Sequence, residues 1–154
     1  MATNVIYGLG NSNWSEDTAD RLAAPKQTHE KSVFVSQAGT VVAATTYVFG
    51  LKGAAATLKT FRARIEESVA TGADRTVTID CQKSTGGGAY ATVLSATLVF
   101  TNLSSLRSWS SATFSNTSLV ADDVLKITVA VAGSASAQAA GLIIELTATP
   151  VDPS

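Results

Sequence analysis

The chain has 154 residues, a length typical of one domain whose core needs neither a metal ion nor a disulfide. It is 45% hydrophobic and only 15% charged, with a formal net charge of −1. We therefore expect no nucleic-acid partner, because the sequence offers no basic cluster to neutralise phosphates. Cys81 is the only cysteine, which excludes a disulfide within the chain.

Residues 1–31 are polar and show no alternation of apolar and polar side chains. We predict an extended N-terminal arm here, followed by a β-domain over residues 32–154. A short helix over residues 16–24, capped by Ser15, is the alternative. No secretory signal and no apolar run of ~18–20 residues is found, so we expect a protein made in a cytoplasm, without a membrane partner.

Three apolar side chains stand out in the predicted arm, namely Ile6, Tyr7 and Trp14. The arm offers no local core in which they could be buried, and exposed large apolar side chains often mark an interaction site. We predict that they dock either onto the β-domain of the same chain or onto a neighbouring molecule. They are the first candidate interface residues.

The first predicted strand begins at Val33, in the segment VFVS. A period of two places alternate side chains on opposite faces of a sheet. We expect a turn at residues 38–39, where Ala and Gly follow each other, and a second strand over residues 40–51, which are rich in β-branched side chains.

The next predicted strand, over residues 56–69, has two faces of different chemistry. Arg62, Arg64 and Glu66 share one face, while the apolar residues between them point to the core. This polar face has two interpretations. Its charges form solvated ion pairs that contribute about 0–1 kcal/mol each, or they contact another subunit, since Arg is enriched at interfaces.

Residues 76–83 predict a further strand, in which Cys81 has the same inward phase as Val77 and Ile79. We therefore expect a buried cysteine rather than a reactive thiol. The glycines at 86–88 predict a hairpin tip. A phosphate-binding loop would instead need a helix after it, and here another strand follows.

Five more strands are predicted, over residues 90–94, 97–101, 108–115, 124–131 and 142–149. Trp109 is expected at the edge of the core. Asp122 and Asp123 are expected in a turn, where Asp commonly bonds its own backbone, with a calcium site as the alternative. About eight or nine short strands without intervening helices predict an all-β fold, an antiparallel β-sandwich of jelly-roll-like type.

No set of residues predicts a catalytic, cofactor or metal site. His29 is the only histidine, so a Ser-His-Asp triad would depend on it alone. Glu66 and Glu67 are adjacent on a strand, and their side chains therefore point to opposite faces. We expect a protein that is not an enzyme and that takes no cofactor and no small-molecule substrate.

Four segments together resemble small virion proteins of tailed phages. They are residues 59–66 (KTFRARIE), 76–83 (TVTIDCQK), 118–129 (SLVADDVLKITV) and 141–146 (GLIIEL). The resemblance spans residues 40–149 and implies a jelly-roll β-sandwich of the head decoration, or cement, type. The usual form of the third segment has a glycine where this chain has Asp122.

The resemblance implies a function that depends on surface contact alone. A cement protein binds the phage head and stabilises it by bridging capsid subunits. The implied assembly is a homotrimer on the capsid surface, with the major capsid protein as its partner and the N-terminal arm reaching over neighbouring subunits. The protein would be made in the host cytoplasm. The alternative is a carbohydrate- or receptor-binding module of a fibre or tail.

Overall fold

The computed structural model describes residues 30–51, 55–67, 76–101, 104–133 and 139–151, with the backbone alone for residues 38–40. Ten β-strands run through these residues, and every pairing between them is antiparallel. Their bounds are β1 (Lys31–Val41), β2 (Thr45–Gly50), β3 (Ala56–Glu67), β4 (Thr76–Ser84), β5 (Ala91–Thr92), β6 (Leu98–Phe100), β7 (Ser110–Ala112), β8 (Ser118–Leu119), β9 (Val124–Ala132) and β10 (Ala140–Pro150).

The strands form two sheets that pack face to face. Sheet A has the order β1-β10-β3-β7, and β8 also pairs with β3. Sheet B has the order β2-β9-β4-β5, and β6 also pairs with β4. β1 and β2 are therefore edge strands of different sheets. The predicted all-β antiparallel sandwich is confirmed.

The core lies between the sheets and is built by the alternation along each strand. In β3, Phe61, Ala63 and Ile65 are buried. They meet side chains of sheet B such as Ile79 and Ile127, which are also buried. Full burial of a side chain of this size contributes about 1.5–3 kcal/mol, so the inward rows of both sheets hold the sandwich together.

A β-bulge in β3 keeps the inward row continuous. Leu58 pairs with Ala148 and Thr60 with Thr147, which leaves Lys59 without a partner in the register. The extra residue shifts the alternation by one position. Leu58 and Phe61 consequently both face the core, although three positions separate them.

The predicted turn at residues 38–39 is wrong. β1 continues to Val41, with an irregular register against β10 between Gln37 and Val41. The chain turns afterwards, where the Gln37 amide donates to the Ala43 carbonyl at 3.1 Å and accepts from the Ala43 N–H at 2.8 Å. A side chain thus satisfies the backbone of the turn, which the Ala-Gly pair in the sequence did not indicate.

The strands between residues 90 and 120 are shorter than predicted. β5 and β7 cover only parts of the predicted segments, and β8 was not predicted. The hairpin tip after β4 is confirmed. Gly86 and Gly87 have φ values of 59° and 77° there, and the Gly88 N–H donates to the Thr85 carbonyl at 3.0 Å.

The predicted arm lies outside the described residues up to residue 29. The same holds for the alternative helix over residues 16–24, for His29 and for the three apolar candidates Ile6, Tyr7 and Trp14. Strand β1 begins at Lys31. Across the described ranges the chain has no helix that would be long and apolar enough to cross a bilayer.

Candidate interaction surface on the outer face of sheet A

A row of side chains crosses the outer face of sheet A. Phe34 of β1 pairs with Glu145 of β10, Glu145 pairs with Arg62 of β3, and Arg62 pairs with Ser111 of β7. The side chains of this row alternate along their strands with the side chains that face the core, so they point away from the core. We call this surface, with Arg64, Glu66 and Trp109 beside the row, the charged face.

Arg62 and Glu145 form the central contact of the charged face. The Nε of Arg62 donates to Oε2 of Glu145. The Glu145 residue is only 8% exposed although it points outward. A carboxylate so far removed from water needs a paired charge, and Arg62 supplies it.

Trp109 packs under two guanidinium groups. The Cζ of Arg62 lies 4.4 Å from the centroid of the indole ring, and that of Arg64 lies 5.0 Å away. Cation–π contacts at these distances contribute about 0.5–2 kcal/mol, depending on how far they are removed from water. Trp109 is half-buried, and its contacts orient both arginines on the charged face.

Glu66 lies between two further arginines. Its Oε1 is 2.7 Å from the Arg64 Nε, and its Oε2 is 4.0 Å from the Arg107 Nε. The shorter contact is an ion pair without hydrogen-bond alignment, since both buried atoms lack a hydrogen-bond partner among the described residues. The charged face therefore combines two carboxylates with two guanidinium groups, and the guanidinium group of Arg107 lies at its border.

The charged face unites three predicted residues and adds four that were not predicted. Arg62, Arg64 and Glu66 lie together as predicted from their phase. The four residues that were not predicted belong to other elements, namely Phe34, Trp109, Ser111 and Glu145. A signal for Glu145 was present, because it is the one charged residue in the otherwise apolar and Thr-rich last strand.

The chemistry of this face suits contact with another macromolecule. Arg and Trp are enriched at the energetic centres of protein interfaces. Phe34, at one end of the row, is 61% exposed and adds an apolar contact. Arg62 and Arg64 remain partly accessible to solvent, so a partner could contact both charged and aromatic groups.

A second polar cluster lies at the end of the sandwich and is structural. Asp123 is fully buried and accepts hydrogen bonds from the Thr85 hydroxyl at 2.7 Å and the Val120 N–H at 2.9 Å. The Lys83 ammonium lies 3.6 Å away. Burial by itself raises the pKa of the Asp123 carboxyl, but these hydrogen bonds and the lysine charge outweigh it and lower the pKa.

The turn at Asp122 and Asp123 bonds its own backbone, as one of the two sequence interpretations proposed. Asp122 has a φ of 66°, in the left-handed region that Asp tolerates better than most residues. Among the described residues, no group of three or more His, Cys, Asp or Glu side chains is placed to hold a metal ion.

Cys81 is fully buried in β4, as predicted. Burial, with a smaller contribution from the neighbouring Asp80 charge, raises the pKa of its thiol to about 12. The thiolate is the nucleophilic form of cysteine, so this side chain acts as a small apolar core residue.

A shallow, open cleft of about 240 Å³ borders the charged face. Trp109 lines it together with Val99 and Phe100, and its remaining lining residues are the serines at 104, 105, 108 and 110. The cleft combines two aromatic side chains with four serine hydroxyl groups and contains no charged side chain in its lining.

No protein-family model matches the chain, and no curated protein sequence matches it significantly.

Proposed function

We propose that this protein is a structural virion protein, a decoration or cement protein that binds the phage head and stabilises it by bridging capsid subunits. The observation that carries the proposal is the order of the strands in the two sheets. The resemblance of the sequence segments to small virion proteins led to the same class independently of that order.

The strand order supports a jelly-roll topology. β5 and β6 both pair with β4, and β7 and β8 both pair with β3. We therefore count β5 with β6, and β7 with β8, as two interrupted strands. Eight strands remain, and sheet A then contains the first, eighth, third and sixth of them. Sheet B contains the second, seventh, fourth and fifth. This order supports the proposed jelly-roll type, a fold common in viral capsid proteins.

The turn before β9 also favours the proposed family. Asp122 replaces the glycine that is usual in the family, and its φ of 66° lies in the region that glycine adopts without strain. The glycine that is usual in the family would therefore fit the backbone conformation of this chain at position 122 without strain.

The proposed partner is the major capsid protein, contacted by a homotrimer on the outer surface of the virion. Stable association needs a buried area of about 1,200–2,000 Å². The charged face, with its paired Arg and Glu side chains and Trp109, has suitable chemistry for part of that area. The N-terminal arm adds contacts at raised effective concentration once the sandwich is bound.

Binding to phage heads tests the proposal. Purified protein is mixed with expanded heads that lack it, and the bound fraction is measured after sedimentation. We expect saturable binding and heads that withstand higher temperature before they open. A variant without residues 1–29, shown to be folded by circular dichroism, should bind more weakly. Absence of binding by the full chain would contradict the proposal.

The oligomeric state is a separate test. Light scattering of the purified protein should give three times the chain mass of 15.8 kDa. A monomer at all concentrations would contradict the trimer while leaving head binding to be decided by sedimentation.

A second candidate function is a carbohydrate-binding module of a fibre or tail. The cleft beside Trp109 favours it, because an indole ring can stack on a sugar while serine hydroxyls bond to it. A glycan array tests this candidate. Binding that Trp109→Ala abolishes would support it, and an array without hits would count against it.

A further inference from the structure

The two sides of the sandwich end in strands of very different length. Residues 42–44 alone connect β1 to β2, so the long edge strands of the two sheets lie on the same side. The opposite side ends in β5, β6, β7 and β8, which have only two or three residues each. Short edge strands are one way in which proteins prevent further strand pairing, so one side is blunted in this way and the other is not.

Strand β1 lacks the usual guards of an edge strand. Among the described residues it pairs with β10 only, so alternate residues of 31–36 direct their N–H and C=O groups away from β10. Charged side chains and Pro commonly prevent another strand from adding to such an edge. β1 contains no Pro, and its only charged residue is Lys31 at its start. Its edge is therefore a template for a further strand.

Phe34 lies at the centre of the regular part of β1. The register against β10 is regular from Lys31 to Gln37 and shifts after Gln37. Phe34 is the midpoint of this segment, and its 61% exposure is the highest among the large hydrophobic side chains of the described residues. Val33 and Val35, on either side of it, pack against the core. The exposed ring thus lies where a symmetric pairing of two such segments would have its twofold axis.

We infer that β1 pairs with β1 of a second copy, as antiparallel strands related by a twofold axis beside Phe34. Phe34 then faces its equivalent on the outer side of sheet A, and aromatic cross-strand pairs stabilise antiparallel strands. Lys31 faces the neutral Gln37 of the second copy, and the two lysines lie roughly 20 Å apart along the strands. The edge of β1 is therefore complementary to itself, which favours a second copy over an unrelated strand.

The contact is smaller than a stable dimer requires. The paired segment spans about 23 Å, and the side of two sheets about 10 Å apart is roughly 20 Å thick with its outer side chains. Two copies together bury roughly 900 Å², compared with about 1,200–2,000 Å² for a stable interface. The pairing is therefore weak and goes beyond the proposed homotrimer without replacing it. It joins copies of different trimers and makes their charged faces continuous.

Disulfide trapping of the full chain tests the pairing. Opposite residues of antiparallel strands have Cα atoms about 4.5–5.5 Å apart, within the range of a disulfide. Phe34→Cys should therefore link two copies in a glutathione redox buffer, as read on a non-reducing gel. The matched control is Val48→Cys, because Val48 is 58% exposed on edge strand β2. The native Cys81 is fully buried and does not compete.

Two further variants test the register and keep both Phe34 rings. Ser32 and Ser36 lie opposite each other in the inferred pairing, whereas Ser36 lies roughly 13 Å from its own equivalent, too far for a disulfide. We expect Ser36→Cys alone to form little dimer and its mixture with Ser32→Cys to form mixed dimers.

The yields decide the inference, with each variant first shown to be folded by circular dichroism. We expect at least about tenfold more dimer from Phe34→Cys than from Val48→Cys or Ser36→Cys, because strand pairing raises the effective concentration of the facing thiols. Equal yields from Phe34→Cys and Val48→Cys would overturn the inference, and so would the absence of mixed dimers. Neither result would bear on head binding, which sedimentation measures separately.

Discussion

Arg62 and Glu145 face each other as register partners on β3 and β10, and their side chains form an ion pair on the outer surface of sheet A. The pairing joins residues 83 positions apart in the sequence. It fixes the position of Arg62 over Trp109 and so organises the charged face.

Removal of Arg62 should destabilise the fold. Arg62→Gln leaves the Glu145 carboxylate, which is 8% exposed, without a cation. Loss of one partner of a fully buried pair costs about 3–5 kcal/mol, and the partial exposure of Arg62 reduces the expected loss to about 2 kcal/mol. Urea denaturation measures it.

The control for Arg62 is Arg107→Gln. The Arg107 side chain is 73% exposed and lies 4.0 Å from Glu66, so its loss should change the free energy of unfolding by less than about 0.5 kcal/mol. Equal effects of the two variants would contradict the assigned role of the Arg62–Glu145 pair.

The double variant R62M/E145M should recover part of the stability, because no charge is then left unpaired.

Asp123 should make the stability depend on pH. Its pKa in the folded protein lies below the ordinary value of 3.8, so the ionised form is favoured by folding. The stabilisation is fully present above that value and is lost as the pH falls through the lower, folded pKa. Asp123→Asn should therefore be less stable than the parent at pH 7 by about 1–3 kcal/mol, and the gap should shrink below pH 4.

Urea unfolding of the parent and of Asp123→Asn at pH 7 and pH 3 measures this difference. Asp122→Asn is the control, because Asp122 is exposed and is its neighbour in the same turn. A gap that stays constant between the two pH values would contradict the assigned ionisation of Asp123.

Thr147→Val should stabilise the protein. The substitution keeps the shape of the side chain and removes a buried hydroxyl that has no partner among the described residues. We expect a gain of about 1 kcal/mol in the free energy of unfolding, measured by urea denaturation. Thr128→Val is the control and should give no such gain, because Thr128 is only half-buried. A loss of stability in Thr147→Val would show that the hydroxyl is bonded.

Gly141 should tolerate no side chain. Its φ is 72°, and an added Cβ would lie 2.7 Å from the Cβ of Glu66. Gly141→Ala should therefore destabilise the fold by more than about 1 kcal/mol and displace Glu66 from the charged face. Gly50→Ala is the control, since nothing lies within 4 Å of its added Cβ. Thermal unfolding of both variants checks the difference, and equal melting temperatures would contradict it.

Local alternation predicted the sandwich because the core-facing side chains of the long strands recur at every second position. β4 and β9 follow this rule over most of their length, and β3 follows it on either side of its bulge. In β10 the outward Glu145 and Thr147 are buried as well. Cys81 was correctly predicted to be buried. The alternation rule failed in two places, where the structure depends on something other than the period of apolar side chains. The turn after β1 depends on the Gln37 side chain, and β8 has only two residues, too few to show a period.

Three of the seven residues of the charged face could be predicted for a similar reason. Arg62, Arg64 and Glu66 share a strand, so their phase alone placed them together. Glu145 reaches Arg62 through strand pairing, and Trp109 reaches both arginines from the segment before β7. Contacts of this kind depend on the register between distant strands, which the pattern within one strand does not encode.

The location of the protein on phage particles tests the central proposal most directly. The proposal implies that a phage encodes the protein. Antibodies raised against the purified protein are coupled to gold and applied to intact particles of that phage, which are then viewed by electron microscopy. A head decoration protein predicts gold distributed over the whole head surface. Gold confined to tails or fibres, or intact particles without label, would contradict the proposed function.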